Sequence, residues 1–197
     1  MKNDRTQLDQ PHVRCDIARV LVSRRRIARR VGELADAIAA RYAGRELTIL
    51  AVLTGSLIFV SDLIRRLPLR MRLDLVSVCS YPGTATTSQG PHIETELGDE
   101  LRGKDVLIVD DILDSGKTVE ALVTAVESAG AASVGTCVLL RKRRDDLPDR
   151  IGVDLFGFDV EPEFVVGYGL DYDRLYRNLP EICSLKAEAL ARPGGEQ

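Results

Sequence analysis

The chain has 197 residues, and nowhere in it does an apolar run approach the roughly 18 residues a membrane-spanning helix needs. Its first residues, MKNDRTQLDQPHVRCD, contain no apolar stretch of the kind that directs export. Membrane insertion and secretion are therefore not expected, and a cytoplasmic location is. Histidine is scarce, with only His12 and His92. The four cysteines (Cys15, Cys79, Cys137 and Cys183) stand far apart without a CxxC pair. That argues against a zinc site and for reduced thiols. No G-x-G-x-x-G follows any candidate strand, which disfavours a dinucleotide site. The Gly116-Lys117 pair has Asp111 five positions before Gly116, where a Walker A loop requires glycine. Asp110, Asp111 and Asp114 lack the alternate spacing of an EF-hand loop. There are no internal repeats.

What is present describes a globular protein with one buried core: 45% of residues are apolar and 29% charged. A formal net charge of −3 argues against wholesale nucleic-acid binding. Basic clusters at Arg24–Arg26 with Arg29 and Arg30, and at 141–144, read first as solvated faces.

Strand and helix patterns alternate along the middle of the chain. A short strand is expected at Arg19–Val22. Ile27, Val31, Leu34, Ala35 and Ile38 recur at helical spacing, with Gly44 beyond the helix end. Leu47–Leu53 is an almost wholly apolar run, as in a strand covered on both faces. It leads through Thr54-Gly55-Ser56 into a helix expected to stop before Pro68. Further strands are expected at Leu73–Cys79, Val106–Val109, Ser133–Leu140, Val153–Phe158 and Glu163–Tyr168, with a helix from Thr118 to Gly130. This order predicts an α/β fold with a mainly parallel sheet flanked by helices. Between two of these strands, Ser80–Pro91 (SYPGTATTSQGP) has small, hydroxyl and turn-forming residues and no apolar period, the composition of a functional or disordered loop.

The segment Val106–Thr118, VLIVDDILDSGKT, carries the most chemistry. A hydrophobic strand brings Asp110 and Asp111 to its C-terminal end, the edge at which open α/β sheets bind ligands. The turn Asp114-Ser115-Gly116-Lys117-Thr118 then opens a helix whose unpaired N–H groups and dipole favour an anion. Three carboxylates beside a phosphate site are reconciled by a ligand that also carries hydroxyl groups and a magnesium ion. A ribose phosphate has that chemistry.

VLIVDDILDSGKT resembles the phosphoribosyl pyrophosphate (PRPP) motif of the type I phosphoribosyltransferases. The resemblance runs from about Ile49 to Asn178 through LTGSLIF, the SY-headed loop, LLRKR and FVVGYGLDYDRLYRNLP. Within the last of these, FVVGYGLDY is far more specific to the hypoxanthine–guanine branch than the central motif is. The resemblance implies transfer of a phosphoribosyl group from PRPP to N9 of a 6-oxopurine, with Mg²⁺ as cofactor. It implies the family's fold as one domain: a core at about 24–150, a small hood from about 12–23 and 153–175, and tails at 1–11 and 187–197. By position, Asp110 and Asp111 would hold the ribose hydroxyls directly or through the metal. Asp114 would be the general base at N7, and Ser115, Gly116, Lys117 and Thr118 would wrap the 5′-phosphate. Thr54, Gly55 and Arg177 would hold pyrophosphate. Lys142 would donate to O6, Phe164 would stack on the base, and the Val165 backbone would read its edge. Asp171 would contact the C2 side and a second magnesium, and Ser80 and Tyr81 would close over the phosphates.

A lysine beside C6 suits an oxygen there and not the amino group of adenine, because lysine only donates. Two positions depart from the family pattern. Asp110 replaces the usual Glu, one methylene shorter, and Thr54 stands where a Lys or Arg often precedes Gly-Ser. The alternatives are a xanthine-preferring relative and a nucleotide-sensing regulator that binds nucleic acid. Retention of both Asp114 and Lys142 favours catalysis, with PRPP and a purine as partners and no nucleic acid. A homodimer or homotetramer is implied by the resemblance alone.

Overall fold

In the computed structural model, the described residues are 15–80, 91–143 and 152–191. They divide into two compact units, Val31–Pro162 and a smaller one made of Met1–Arg30 with Glu163–Gln197.

The larger unit is built on a six-stranded sheet. Its strands are β2 (Leu47–Leu53), β3 (Met71–Ser80), β4 (Pro91–Ile93), β5 (Asp105–Leu113), β6 (Ser133–Lys142) and β7 (Leu155–Val160), in the order β4-β3-β2-β5-β6-β7. All neighbours are parallel except β3 and β4, which pair antiparallel through Val78↔Ile93, Cys79↔His92 and Ser80↔Pro91. The parallel majority explains the sequence pattern. Strands covered on both faces need apolar side chains on both, and in β2 every residue but the last is buried. On one face Leu50 and Val52 pack with Val106 and Ile108 of β5 and with Leu122 and Val126 of a helix at Lys117–Ser128.

The helices follow from their apolar stripes. Ile27, Val31, Leu34, Ala35 and Ile38 are all buried in α1 (Arg24–Arg41), and the boundary between the two units falls within this helix. α2 (Leu57–Ile64) buries Phe59, Val60 and Leu63 and ends three residues before Leu67, sooner than the apolar spacing predicts. α3 is Lys117–Ser128, closed by Gly130 at φ 85°, a left-handed conformation that glycine adopts at no steric cost. No described helix is long and apolar enough to cross a membrane.

One polar knot holds the start of β7 against β6. Asp154 Oδ2 accepts from Thr136 N at 2.8 Å and from Thr136 Oγ1 at 3.1 Å, while Arg41 Nη1 lies 2.8 Å from Oδ1.

The smaller unit has a three-stranded antiparallel sheet of β1 (Ile17–Val22), β8 (Val165–Val166) and β9 (Ile182–Leu185), in the order β1-β9-β8, followed by the short α4 (Ala187–Leu190). Val166, Leu179, Cys183, Leu185 and Ala189 form its core.

Three sequence expectations need correction. β7 pairs in parallel with β6 and belongs to the larger unit, whereas the sequence pattern places residues near 153–175 in a hood. The division comes at Glu163, next to Pro162, because membership of a sheet is set by the pairing partner and not by local composition. The Glu163–Tyr168 strand shrinks to Val165–Val166, since the backbone turns left-handed from Gly167. The tail expected from 187 instead begins with α4. Tyr81 lies outside the described residues, as do 82–90.

Candidate active site

Sheet register builds the site of the larger unit. β5 pairs with β2 only as far as Ala51↔Val109, because β2 ends at Leu53 and the chain turns away. On its other edge β5 keeps pairing with β6 through Asp110↔Val138, Ile112↔Leu140 and Leu113↔Arg141. The strand thus runs past its paired acids, three residues beyond Asp110. Above Val109 the side facing β2 is open, and the β2–α2 turn comes in there. The Leu53–Thr54 peptide is cis, and Gly55 lies so close to Asp111 that a Cβ at 55 would overlap its carboxylate. This close approach, and not a positive φ, is why residue 55 is glycine.

A cavity of about 310 Å³ opens at this edge. It is lined by Gly55, Asp110, Asp111, Asp114, Ser115, Gly116 and Thr118, over a floor of Val52, Leu53, Leu113 and Val119. Of the residues expected from the sequence to form the PRPP site, it brings together all but Lys117, Thr54 and Arg177. Lys117 begins α3 with an exposed side chain, and Thr54 is exposed on the turn. Gly116 precedes α3 at φ 75°, a left-handed conformation that glycine adopts at no steric cost. The first α3 carbonyl bond is Glu120 N to Gly116 O at 2.9 Å, so the N–H groups before it have no intrahelical acceptor.

The two neighbouring acids are unlike. Asp110 is buried, at 6% exposure, and accepts a 2.8 Å bond from Asp111 N. Burial first, and then the charge of Asp111, pushes the Asp110 carboxyl well above the usual carboxylate range. Asp111 is only partly buried.

Lys142 is brought to Asp114 by the same register. Leu113 pairs with Arg141, so the next residue of each strand stands opposite the other. Lys142 Nζ lies 2.6 Å from Asp114 Oδ2. Arg141 turns away, with Nε 2.7 Å from Asp159 Oδ1 and its guanidinium 3.6 Å above the Phe156 ring. The basic cluster therefore splits into an inward lysine and an arginine bound to β7.

The smaller unit holds the remaining candidates. Phe164 is 46% exposed and meets Tyr172 edge-on, with centroids 5.2 Å apart and planes at 84°. Val165 is buried and pairs with Ser184. After it the backbone is left-handed at Gly167, Tyr168, Gly169, Asp173, Arg174 and Tyr176. Arg177 fastens this segment, with Nη1 donating to Gly169 O at 2.6 Å and Nη2 2.8 Å from Asp171 Oδ1. The other Asp171 oxygen accepts from Arg174 N at 2.8 Å. Arg177 and Asp171 were expected to meet ligands separately, and here they hold each other. Tyr172 and Tyr176 donate to Leu190 O at 2.6 Å and Asp16 Oδ2 at 2.9 Å. No local pattern in the sequence marks either tyrosine for this anchoring role.

Residues 21–173 match the family model of the phosphoribosyl transferase domain. The hypoxanthine-guanine phosphoribosyltransferase of Mycobacterium avium is 39% identical over 177 residues, covering 86% of each chain. The chain belongs to this phosphoribosyltransferase family. The enzyme of the same name from Staphylococcus epidermidis is 36% identical over 181 residues, 90% of this chain and 98% of that one. The crystal structure of a hypoxanthine phosphoribosyltransferase from Staphylococcus aureus superposes with a TM-score of 0.86 at 36% identity, covering 93% of this chain and all of the other. The cavity at β5–α3 lies within the residues matched by the family model.

Proposed function

We propose that this phosphoribosyltransferase moves the phosphoribosyl group of PRPP to N9 of hypoxanthine or guanine, giving the nucleotide and pyrophosphate. The observation that carries the reading is the cavity that joins Asp110, Asp111 and Asp114 to the first turn of α3, with Lys142 beside Asp114.

The α3 turn, Ser115 to Thr118, binds the 5′-phosphate through N–H groups and hydroxyls. Asp111 and Asp110 accept from the ribose hydroxyls. Gly55 and the turn behind it present backbone to the pyrophosphate, with Thr54 adding a hydroxyl, and Arg177 is a further cation that the family pattern assigns to that group. Lys142 donates to the purine O6, Phe164 offers a flat apolar face, and Val165 offers backbone to the base edge. Asp171 meets the C2 side. In the transfer, N9 bonds to C1′ while the C1′–oxygen bond breaks and pyrophosphate leaves with the electron pair. The N7 proton goes to Asp114. Carboxylate oxygens around the ribose stabilise the positive charge that develops there. The family pattern assigns Ser80 and Tyr81 the role of covering the phosphates and excluding water.

The donors suit a magnesium ion. Among the described residues no cluster of three or more His, Cys, Asp and Glu forms a metal cage. Mg²⁺, however, takes about one or two carboxylates and completes its shell with phosphates and water. Asp110, buried beside Asp111, is a carboxyl whose charge a cation would compensate. Asp110 and Asp111 would hold one ion, and Asp171 a second if it released Arg177. Bound there, magnesium supplies charge neutralisation for the departing pyrophosphate.

We place the enzyme in the cytoplasm as a homodimer or homotetramer. Leu57, Leu73 and Leu75 of the larger unit, each more than 40% exposed, are candidates for a subunit contact. Light scattering of the purified protein reads the assembly. The deciding assay combines the protein with PRPP, Mg²⁺ and each of hypoxanthine, guanine, xanthine and adenine. Turnover of the first two is expected. Xanthine alone would assign the narrower relative, and no turnover with any base would overturn the proposal.

A further inference from the structure

The 2.6 Å contact between Lys142 Nζ and Asp114 Oδ2 occupies both groups that the purine is to use. In the reaction proposed above, Lys142 must donate to O6 and Asp114 must accept the N7 proton. Each is now engaged by the other, through one of the three ammonium N–H groups and one of the two carboxylate oxygens. The two are unequally placed, for the Lys142 side chain is 15% exposed and that of Asp114 is 44%. Water can replace a lysine at Asp114. It is far less able to replace a carboxylate at Lys142, so the ammonium leaves its partner only for another acceptor.

We infer that this ion pair is a latch: Lys142 holds Asp114 while the purine site is empty, and only a base with an oxygen at C6 draws the lysine off and frees the carboxylate. The inference rests on the proposed function and gives it a selective step. A 6-oxopurine offers Lys142 an acceptor and Asp114 an N7–H donor, so both partners are replaced in one exchange. Adenine presents an amino group to the lysine, and unsubstituted purine presents only a C–H. With either, pulling Lys142 away leaves a largely buried cation without an acceptor, so Asp114 stays engaged. Recognition of O6 and release of the base become one event. The exchange moves hydrogen bonds only, and the proton transfer from N7 follows it. Lys142 is thus a positioning residue for Asp114 as well as a reader of the base.

A lysine that only reads O6 and a lysine that also restrains Asp114 predict opposite results for a substrate without O6. The test measures kcat and KM for hypoxanthine and for unsubstituted purine at saturating PRPP and Mg²⁺, in the natural protein and in Lys142→Met, which keeps the apolar stem. For hypoxanthine, kcat/KM should fall by about tenfold or more, the loss of a hydrogen bond from a charged group. For unsubstituted purine, kcat should rise by up to about fivefold, the scale of a partly exposed ion pair. The gain should vanish in Lys142→Met with Asp114→Asn. Lys142→Leu serves as the second variant if the methionine protein does not fold. Unchanged or lower turnover of purine, or no turnover of it by either protein, overturns the latch. Failure of the natural protein to use any 6-oxopurine is a separate result, which overturns the proposed function before any variant is compared.

Discussion

The floor of the cavity at β5–α3 and the segment after β8 reach their shapes by different means. In the larger unit the positions of Asp110, Asp111 and Lys142 follow from parallel strands in register, and one glycine at a close contact completes the arrangement. In the smaller unit the backbone between Gly167 and Tyr176 is left-handed at six positions, four of them not glycine, and is held by side chains such as Arg177. Regular elements fix a site through many equivalent backbone bonds. Irregular backbone depends on a few side-chain bonds and costs about 1–3 kcal/mol wherever a residue sits in a sparsely populated region. The first kind tolerates change at most positions outside the cavity. The second concentrates its sensitivity in a few residues.

The largest expected effect bears on whether the larger unit supplies the chemistry. Asp114→Asn removes the proposed acceptor at N7 and should lower kcat by about 10²–10⁴-fold, with little change in PRPP affinity. Steady-state kinetics together with PRPP titration separates the two, and near-normal kcat would remove Asp114 from the mechanism.

A pair of glycine variants sharpens the contrast between the regions. At Gly55 a methyl group overlaps the Asp111 carboxylate, and at Gly167, whose φ is 94°, it overlaps Glu181 O. Each change should cost about 1–3 kcal/mol of stability by overpacking. Their kinetic signatures should differ. Gly55→Ala is expected to raise KM for PRPP more than for the purine, and Gly167→Ala the reverse. Thermal melts and both KM values check this, and identical signatures would erase the distinction.

Asp110→Asn probes the tension inside the regular region. A carboxyl whose folded pKa is raised binds its proton more tightly folded than unfolded, so stability falls as pH rises from the ordinary carboxylate value through the raised one. Above that window the charged carboxylate is a net cost. Asp110→Asn should therefore raise the Tm of the ligand-free protein at neutral pH while weakening PRPP binding. An unchanged or lower Tm would contradict the cost assigned to this carboxyl.

The smallest effect expected is at Asp154. Burial would raise its carboxyl, but Arg41 and the Thr136 hydrogen bonds outweigh that and hold it below its usual value. The stabilisation is present above the ordinary carboxylate pKa and is lost as pH falls through the lowered one. Asp154→Asn should lower Tm slightly at neutral pH, by a difference that fades on acidification. A difference constant with pH would assign the effect to packing.

The same division sorts what the sequence could reveal. Leu47–Leu53 was legible as a strand because both faces are covered, and Ile27, Val31, Leu34, Ala35 and Ile38 as a helix because their spacing is their burial pattern. The Asp110–Thr118 cluster was legible because a buried strand, acids and a small-residue turn occur together. The strand end was not. β5 runs on to Leu113 because β6 continues beside it, and a partner's length leaves no local mark. For the same reason β7 could not be assigned to its sheet. That Lys142 meets Asp114 needs the register of both strands. The pairing of Arg177 with Asp171 needs the left-handed turn between them, which residues other than glycine do not announce.

The contact between Gly55 and Asp111 also governs how this protein can change by mutation. Position 55 admits a side chain only if a carboxylate 56 positions further along the chain moves aside. Loss of either residue alone meets an occupied or an emptied space. A shorter residue at 111 vacates volume that a side chain at 55 could enter, and that side chain could carry a new donor to the same edge of the sheet. Variants with altered pyrophosphate contacts are therefore to be sought by randomising 55 and 111 together.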